Sequence, residues 1–145
     1  MIPPELLDTP EKRKAWYDFF KNVEKHRRWA IRKFYKIRTK DQKLALLTLN
    51  EAQRRFYGMV EKQERERRPV RIIAVKPRKV GLSTGIQALF FHTATNRKLQ
   101  KGLTVAHDLE STQEMFSMND LFYTEMPAYM RAPKRSGPGG VWPVE

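Results

Sequence analysis

The stretch Val70–Phe91, VRIIAVKPRKVGLSTGIQALFF, decides how the rest of the chain is read. Its first six residues, Val70 to Val75, form an apolar run rich in β-branched residues, the pattern of a strand buried on both faces. A loop follows from Lys76 to Gly81. From Ser83 to about Asn96, the residues Ile86, Leu89, Phe90 and Ala94 suit a helix. Strand, loop and helix is the context a phosphate-binding loop requires. Backbone N–H groups at the helix N-terminus converge there on an anion, and a hydroxyl in the first turn binds Mg²⁺. Gly81 permits close approach of the backbone to phosphate, Ser83 occupies the Mg²⁺-hydroxyl position, and Thr84 follows it. The usual spacing, G-x-x-x-x-G-K-[ST], is broken twice: Lys76 stands in place of the first Gly, and Leu82 in place of the Lys. Lys76, Arg78 and Lys79 share the loop, and any of them could reach β- or γ-phosphate oxygens. The plain alternative is a basic strand-to-helix turn.

Working outward, Asn50 is placed to cap a helix, with Gln53 completing a capping box. That helix should run to about Arg68, where Pro69 stops it. Further upstream, Pro3, Pro4 and Pro10 mark an irregular start, and Glu11 to about Lys36 reads as one long helix without internal Pro or Gly. Trp16, Phe20, Val23, Ala30, Phe34 and Ile37 recur along it as one apolar stripe. Downstream, the polar stretch Asn96 to Gly102 separates the loop's helix from a second buried strand, Leu103 to Ala106. Ser111 to Tyr123 then reads as a helix with Met115, Phe116, Leu121 and Phe122 on its inner side. This order predicts an α/β fold with parallel strands joined by a right-handed crossover. Beyond Pro127 the pattern is lost, and a loose tail is expected.

Hydrophobic residues make up 40% of the 145 and aromatic residues 11%, which separates the chain from disordered compositions. With no cysteine and three scattered histidines, neither a disulfide framework nor a convincing zinc centre is available. No apolar stretch approaches the ~18 residues that span a bilayer, and the start has no signal-peptide core, so the expectation is a soluble intracellular protein. The net charge of +13 makes nucleic acid the first partner to consider and a membrane surface the second. Residues 1–68 hold 19 Lys/Arg against 10 Asp/Glu, and residues 69–145 hold 10 against 6, so the excess lies upstream. His107 and Asp108 follow the second strand, where α/β sheets place ligand-contacting residues. The residues alone make His107 a plain loop histidine.

Several of these pieces occur together in a recognisable series. L-N-x-x-Q-R-R (from Leu49), the buried strand, K-P-R-K-V-G-L-S-T (Lys76–Thr84), L-T-V-A-H-D-x-E-S-T-x-E-M-F (from Leu103) and E-M-P (from Glu125) follow in order. The series resembles the N-terminal ATPase region of tailed-phage terminase large subunits, the hydrolases that package viral DNA. The resemblance covers roughly Leu49 to Met130. It divides the chain into a basic helical lead-in at 1–48, a partial P-loop NTPase domain of RecA-like type at 49–130, and a loose tail at 131–145. It implies ATP and Mg²⁺ as cofactors. Gln53 falls where the family's adenine-contacting glutamine stands, and Arg78 where its γ-phosphate arginine stands. Lys76 matches a lysine that some members carry at the loop's first position. On this reading Lys76 and Arg78 serve catalysis. Lys76, Pro77, Arg78, Lys79, Val80, Gly81, Leu82, Ser83 and Thr84 hold the nucleotide together with Gln53, and Ser83 binds the metal. The implied partners are double-stranded DNA, a portal protein, a small terminase subunit and further copies of the chain, in the host cytoplasm and away from membranes.

No segment after Asp108 supplies the paired acids of a Walker B site or a nuclease domain, so the chain reads as a fragment with little cleavage activity of its own. Two rivals remain. A helicase-like translocase shares the glutamine, loop and second-strand order, and clustered nuclease acids in following sequence would separate it from a terminase. A non-enzymatic nucleic-acid-binding module would have the basic surface as its function and would bind no nucleotide.

Residues 21–40 hold nine basic side chains against one acid, Glu24. The expected outcome is DNA binding without sequence preference, weakening at least about a hundredfold between ~50 and ~200 mM salt through loss of counterion release. A retardation assay across that range checks it, and equal retention at both ends would count against the idea.

Overall fold

A computed structural model of the chain describes residues 7–97, 100 and 102–131. Its elements are α1 (Pro10–Lys25), α2 (Arg27–Phe34), β1 (Lys36–Arg38), β2 (Leu44–Leu46), α3 (Glu51–Arg65), α4 (Leu82–Asn96) and α5 (Leu109–Glu125), followed by a short 3₁₀ turn at Ala128–Met130. Helix α4 is the centre. It carries no charged side chain and packs against α1, α2, α3 and α5. Its buried residues include Leu82, Ala88, Leu89 and Phe91, which join Val23, Ala30, Ile31, Tyr35, Tyr57, Val60 and Phe122 in one core. Tyr35 stacks on Phe122 with ring centroids 5.2 Å apart and meets Phe91 edge-on at 5.4 Å. Such pairs add roughly 0.5–1.5 kcal/mol each beyond their buried area.

The long upstream helix is two helices. At His26 the backbone leaves helical geometry (φ −107°, ψ 59°), and the residue serves as the C-cap of α1 and the N-cap of α2. The break turns Arg27 and Arg28 toward α3. There Arg27 pairs with Glu64, while Arg28 grips Glu61 through two hydrogen bonds of 2.8 and 2.7 Å. The paired fork geometry suits arginine. Residues 36–46, expected as the end of a helical lead-in, form an antiparallel hairpin that pairs Ile37 with Ala45. β-branched Ile37 suits the pleated surface better than a helix end, and Leu47 N–H extends the pairing by donating to Tyr35 C=O. Helix α3 begins as its sequence predicts, with Asn50 and Gln53 forming a full capping box. It ends at Arg65, three residues short of the expected Arg68. Helices α4 and α5 begin one and two residues earlier than read from sequence. Of the four apolar residues assigned to the inner side of α5, only Phe122 is buried, and Phe116 is 44% exposed.

The hairpin is the only sheet among the described residues. Val70–Val75 and Leu103–Ala106, read as parallel strands, run between helices without ladder partners. Burial alternates along the second segment and not along the first, where Ile72 is half-buried and Val70 and Ala74 are exposed. Ile72 packs against the core while Ile73 and Val75 are 97% and 99% exposed, and Thr104 and Ala106 are half-buried between exposed Leu103 and Val105. Leu103–Ala106 turns one face toward the helices and an apolar face outward, whereas Val70–Val75 is anchored to the core through Ile72. No helix among the described residues is long and apolar enough to cross a membrane. The expected loose tail lies outside the described residues beyond Arg131, as do Lys98, Leu99 and Lys101 of the polar stretch.

His92 of α4 sits in the core, with Nδ1 3.3 Å from the Tyr35 hydroxyl. Burial, aided by the Arg27 charge, pulls its imidazole from 6.5 down to about 4. Because the folded protein prefers the neutral ring, this contribution to stability is complete above pH ~6.5 and is lost as pH falls toward 4. The full effect is about 3 kcal/mol at most. Thermal melts of wild type and His92→Leu between pH 7 and 4 should show the wild type losing stability more steeply, and parallel profiles would remove His92 as the cause.

Candidate phosphate-binding loop

The loop between Val75 and α4 is shaped by two residues with positive φ, Lys79 at 62° and Gly81 at 69°, on either side of Val80. Alternation of backbone handedness brings successive N–H groups to one side, the arrangement called an anion nest. Gly81 is also the N-cap of α4 and offers no side-chain cap, so the first-turn amides of the helix have no side-chain acceptor there. A residue with a side chain pays strain in left-handed backbone, and Lys79 does so here where Gly81 does not.

Helix α3 holds the loop from behind. Asn50 Nδ2 donates to Val80 C=O (2.9 Å), Gln53 Nε2 to Gly81 C=O (2.7 Å), and Tyr57 Oη to Gly85 C=O (2.8 Å). Spacing of three and four along α3 puts these side chains on one helix face. Close packing depends on Gly85, where a Cβ would stand 2.8 Å from Gln53 Cγ. Gln53 Oε1 meanwhile accepts from Asn50 N–H (2.8 Å), so both ends of the amide are engaged and the residue is only 3% exposed. An adenine contact by Gln53 requires the buried amide to be uncovered first.

Lys76, Pro77, Arg78 and Lys79 are exposed, and none of the three cations pairs with a described carboxylate. Ser83 and Thr84 are half-buried in the first turn of α4, and Leu82 is buried in the core. Leu82 therefore has a packing role, which accounts for an apolar residue where the common pattern has lysine. His107 and Asp108 stand apart in role. Asp108 caps α5 by accepting from Ser111 N–H, and that bond, joined by one from the Ser111 hydroxyl, holds its carboxyl below the usual range. His107 pairs with Asp108 at the exposed helix start.

The basic surface is partly spent on structure. Of the nine cations between Lys21 and Lys40, Arg27, Arg28 and Lys36 are paired with Glu64, Glu61 and Glu125. Lys33 lies 5.1 Å from the ring centroid of half-exposed Trp29, and Lys21 lies 5.8 Å from that of Tyr17. Lys25, Arg32, Arg38 and Lys40 are exposed. An open groove of about 770 Å³ lies at the α1–α2 break, but Glu61 and Glu64 share its lining with Arg27 and Arg28. Sequence reasoning missed the parts of Asn50 and Tyr57 in holding the loop, because their partners are about 30 residues away. No group of three or more acidic, His or Cys side chains suited to a metal ion occurs among the described residues. Comparison with protein-family models, with curated proteins and with solved structures finds no match to this chain.

Proposed function

We propose that this chain is the N-terminal part of a DNA-packaging ATPase similar to terminase large subunits, and that it binds Mg²⁺-ATP at Lys76–Thr84. In the complete motor, ATP hydrolysis would drive double-stranded DNA into a procapsid, with a portal protein, a small terminase subunit and further copies of the chain as partners. The observation that carries the reading is the loop itself. A helix start without a side-chain cap follows two positive-φ residues, with three cations beside it that pair with no described carboxylate. A parallel sheet of P-loop type belongs to the same proposal, supported by the β-branched composition of Val70–Val75 and the alternating burial of Leu103–Ala106.

Each residue has a distinct task. Lys76, Arg78 and Lys79 supply positive charge for β- and γ-phosphate oxygens, and the amides at and after Gly81 cradle the β-phosphate. Ser83 would offer its hydroxyl to Mg²⁺, whose remaining positions are ordinarily filled by phosphate oxygens and water. The ion held there would supply positive charge against the phosphates.

Lys76→Ala should weaken Mg²⁺-ATP binding by about tenfold or more, the loss expected for one charge-assisted contact. Leu82→Ala should leave phosphate contacts alone and instead lower the melting temperature, since it opens a cavity in the core. Titration of a fluorescent ATP analogue into wild type, Lys76→Ala, Lys79→Ala and Leu82→Ala reads both effects. A loss confined to Lys79→Ala moves the role along the loop, and no saturable binding by wild type overturns the nucleotide reading in favour of a basic turn.

A further inference from the structure

We infer that Asn50 and Gln53 are positioning residues of the loop, and that Gln53 in this role does not read the base of the nucleotide. The inference rests on the nucleotide reading above. Its ground is peptide-plane geometry. No described peptide bond is cis. In a trans peptide the C=O and the following N–H point in opposite directions. Asn50 draws the Val80 carbonyl toward α3 and Gln53 draws the Gly81 carbonyl. The N–H groups of Gly81 and Leu82 therefore point away from α3, to the loop's open side. The Gly81 carbonyl also accepts from Gly85 N–H at 3.2 Å, so one oxygen ties the side chain, the loop and the first turn of α4 together.

Base reading asks something different of Gln53. Recognising an adenine edge takes a donor and an acceptor that the base can reach, and this amide is 3% exposed, packed against Gly85 and tied to Gly81 and Asn50. A loop held this way selects for polyphosphate and is indifferent to the base at this residue.

Two variants separate positioning from helix capping. Asn50→Ser keeps a side-chain oxygen to cap α3 but loses the donor to Val80. Gln53→Glu keeps an acceptor for Asn50 N–H but loses the donor to Gly81. The full chain is titrated with ATP, GTP and inorganic tripolyphosphate in the presence of Mg²⁺, and melting temperatures are taken alongside. Both variants should bind all three ligands at least about fivefold more weakly, with Asn50→Ser melting close to wild type and the ATP-to-GTP ratio staying within about threefold throughout. Wild-type affinity in both variants overturns the positioning role while leaving the nucleotide reading intact. A preference for ATP of about tenfold or more in wild type, abolished in Gln53→Glu, restores Gln53 as a base reader and overturns the inference. Failure of wild type to bind any of the three ligands defeats the nucleotide reading and this inference with it.

Discussion

A helix without a single charge, α4, sets the terms for the rest of the molecule. Fifteen residues of that kind cannot face water on most sides, so neighbouring helices must wrap them. Helices α1, α2, α3 and α5 all pack against it. Tyr35, at the end of α2, fills the space between Phe91 and Phe122, while the Arg27–Glu64 and Arg28–Glu61 pairs fix α2 against α3. Once α4 is seated, its N-terminus has only one place to be, and the loop before it inherits that position.

Much of this was legible locally. Asn50 and Gln53 are three residues apart and satisfy each other's backbone groups, so the start of α3 needs nothing beyond its own sequence. The α1–α2 break was not legible, because His26 is neither Pro nor Gly. It follows from arginines that find carboxylates more than 30 residues away. The hairpin at 36–46 was hidden for a related reason: Ile37 continues the helical stripe numerically, and only pairing with Ala45 reveals the strand. Val70–Val75 presents the converse. Its composition fits a strand, but a strand exists through neighbouring strands, and among the described residues its backbone is met instead by the Gln63 side chain at Arg71.

The candidate site shows the same division. Gly81 advertises left-handed backbone in the sequence, whereas Lys79 does not, since lysine carries no signal for positive φ. Gln53 could be read either as a cap or as a ligand contact, and the structure engages it in the cap and adds a bond to Gly81 that no local pattern encodes. Gly85 looked like one more small helix residue. Its importance is steric, as the slot that lets the Gln53 side chain lie against α4.

The outward faces of Val70–Val75 and Leu103–Ala106 carry a thermodynamic consequence. Ile73, Val75, Leu103 and Val105 are hydrated in the folded chain almost as they are when it unfolds. They therefore add little to the heat-capacity change of unfolding, which comes from newly exposed apolar surface such as that of Tyr35, Ile31 and Phe122. The same residues add little to the denaturant dependence, which scales with the surface newly exposed on unfolding. Any structural element that covers those faces would add the missing term, and its association would register in a calorimeter as a negative heat-capacity change.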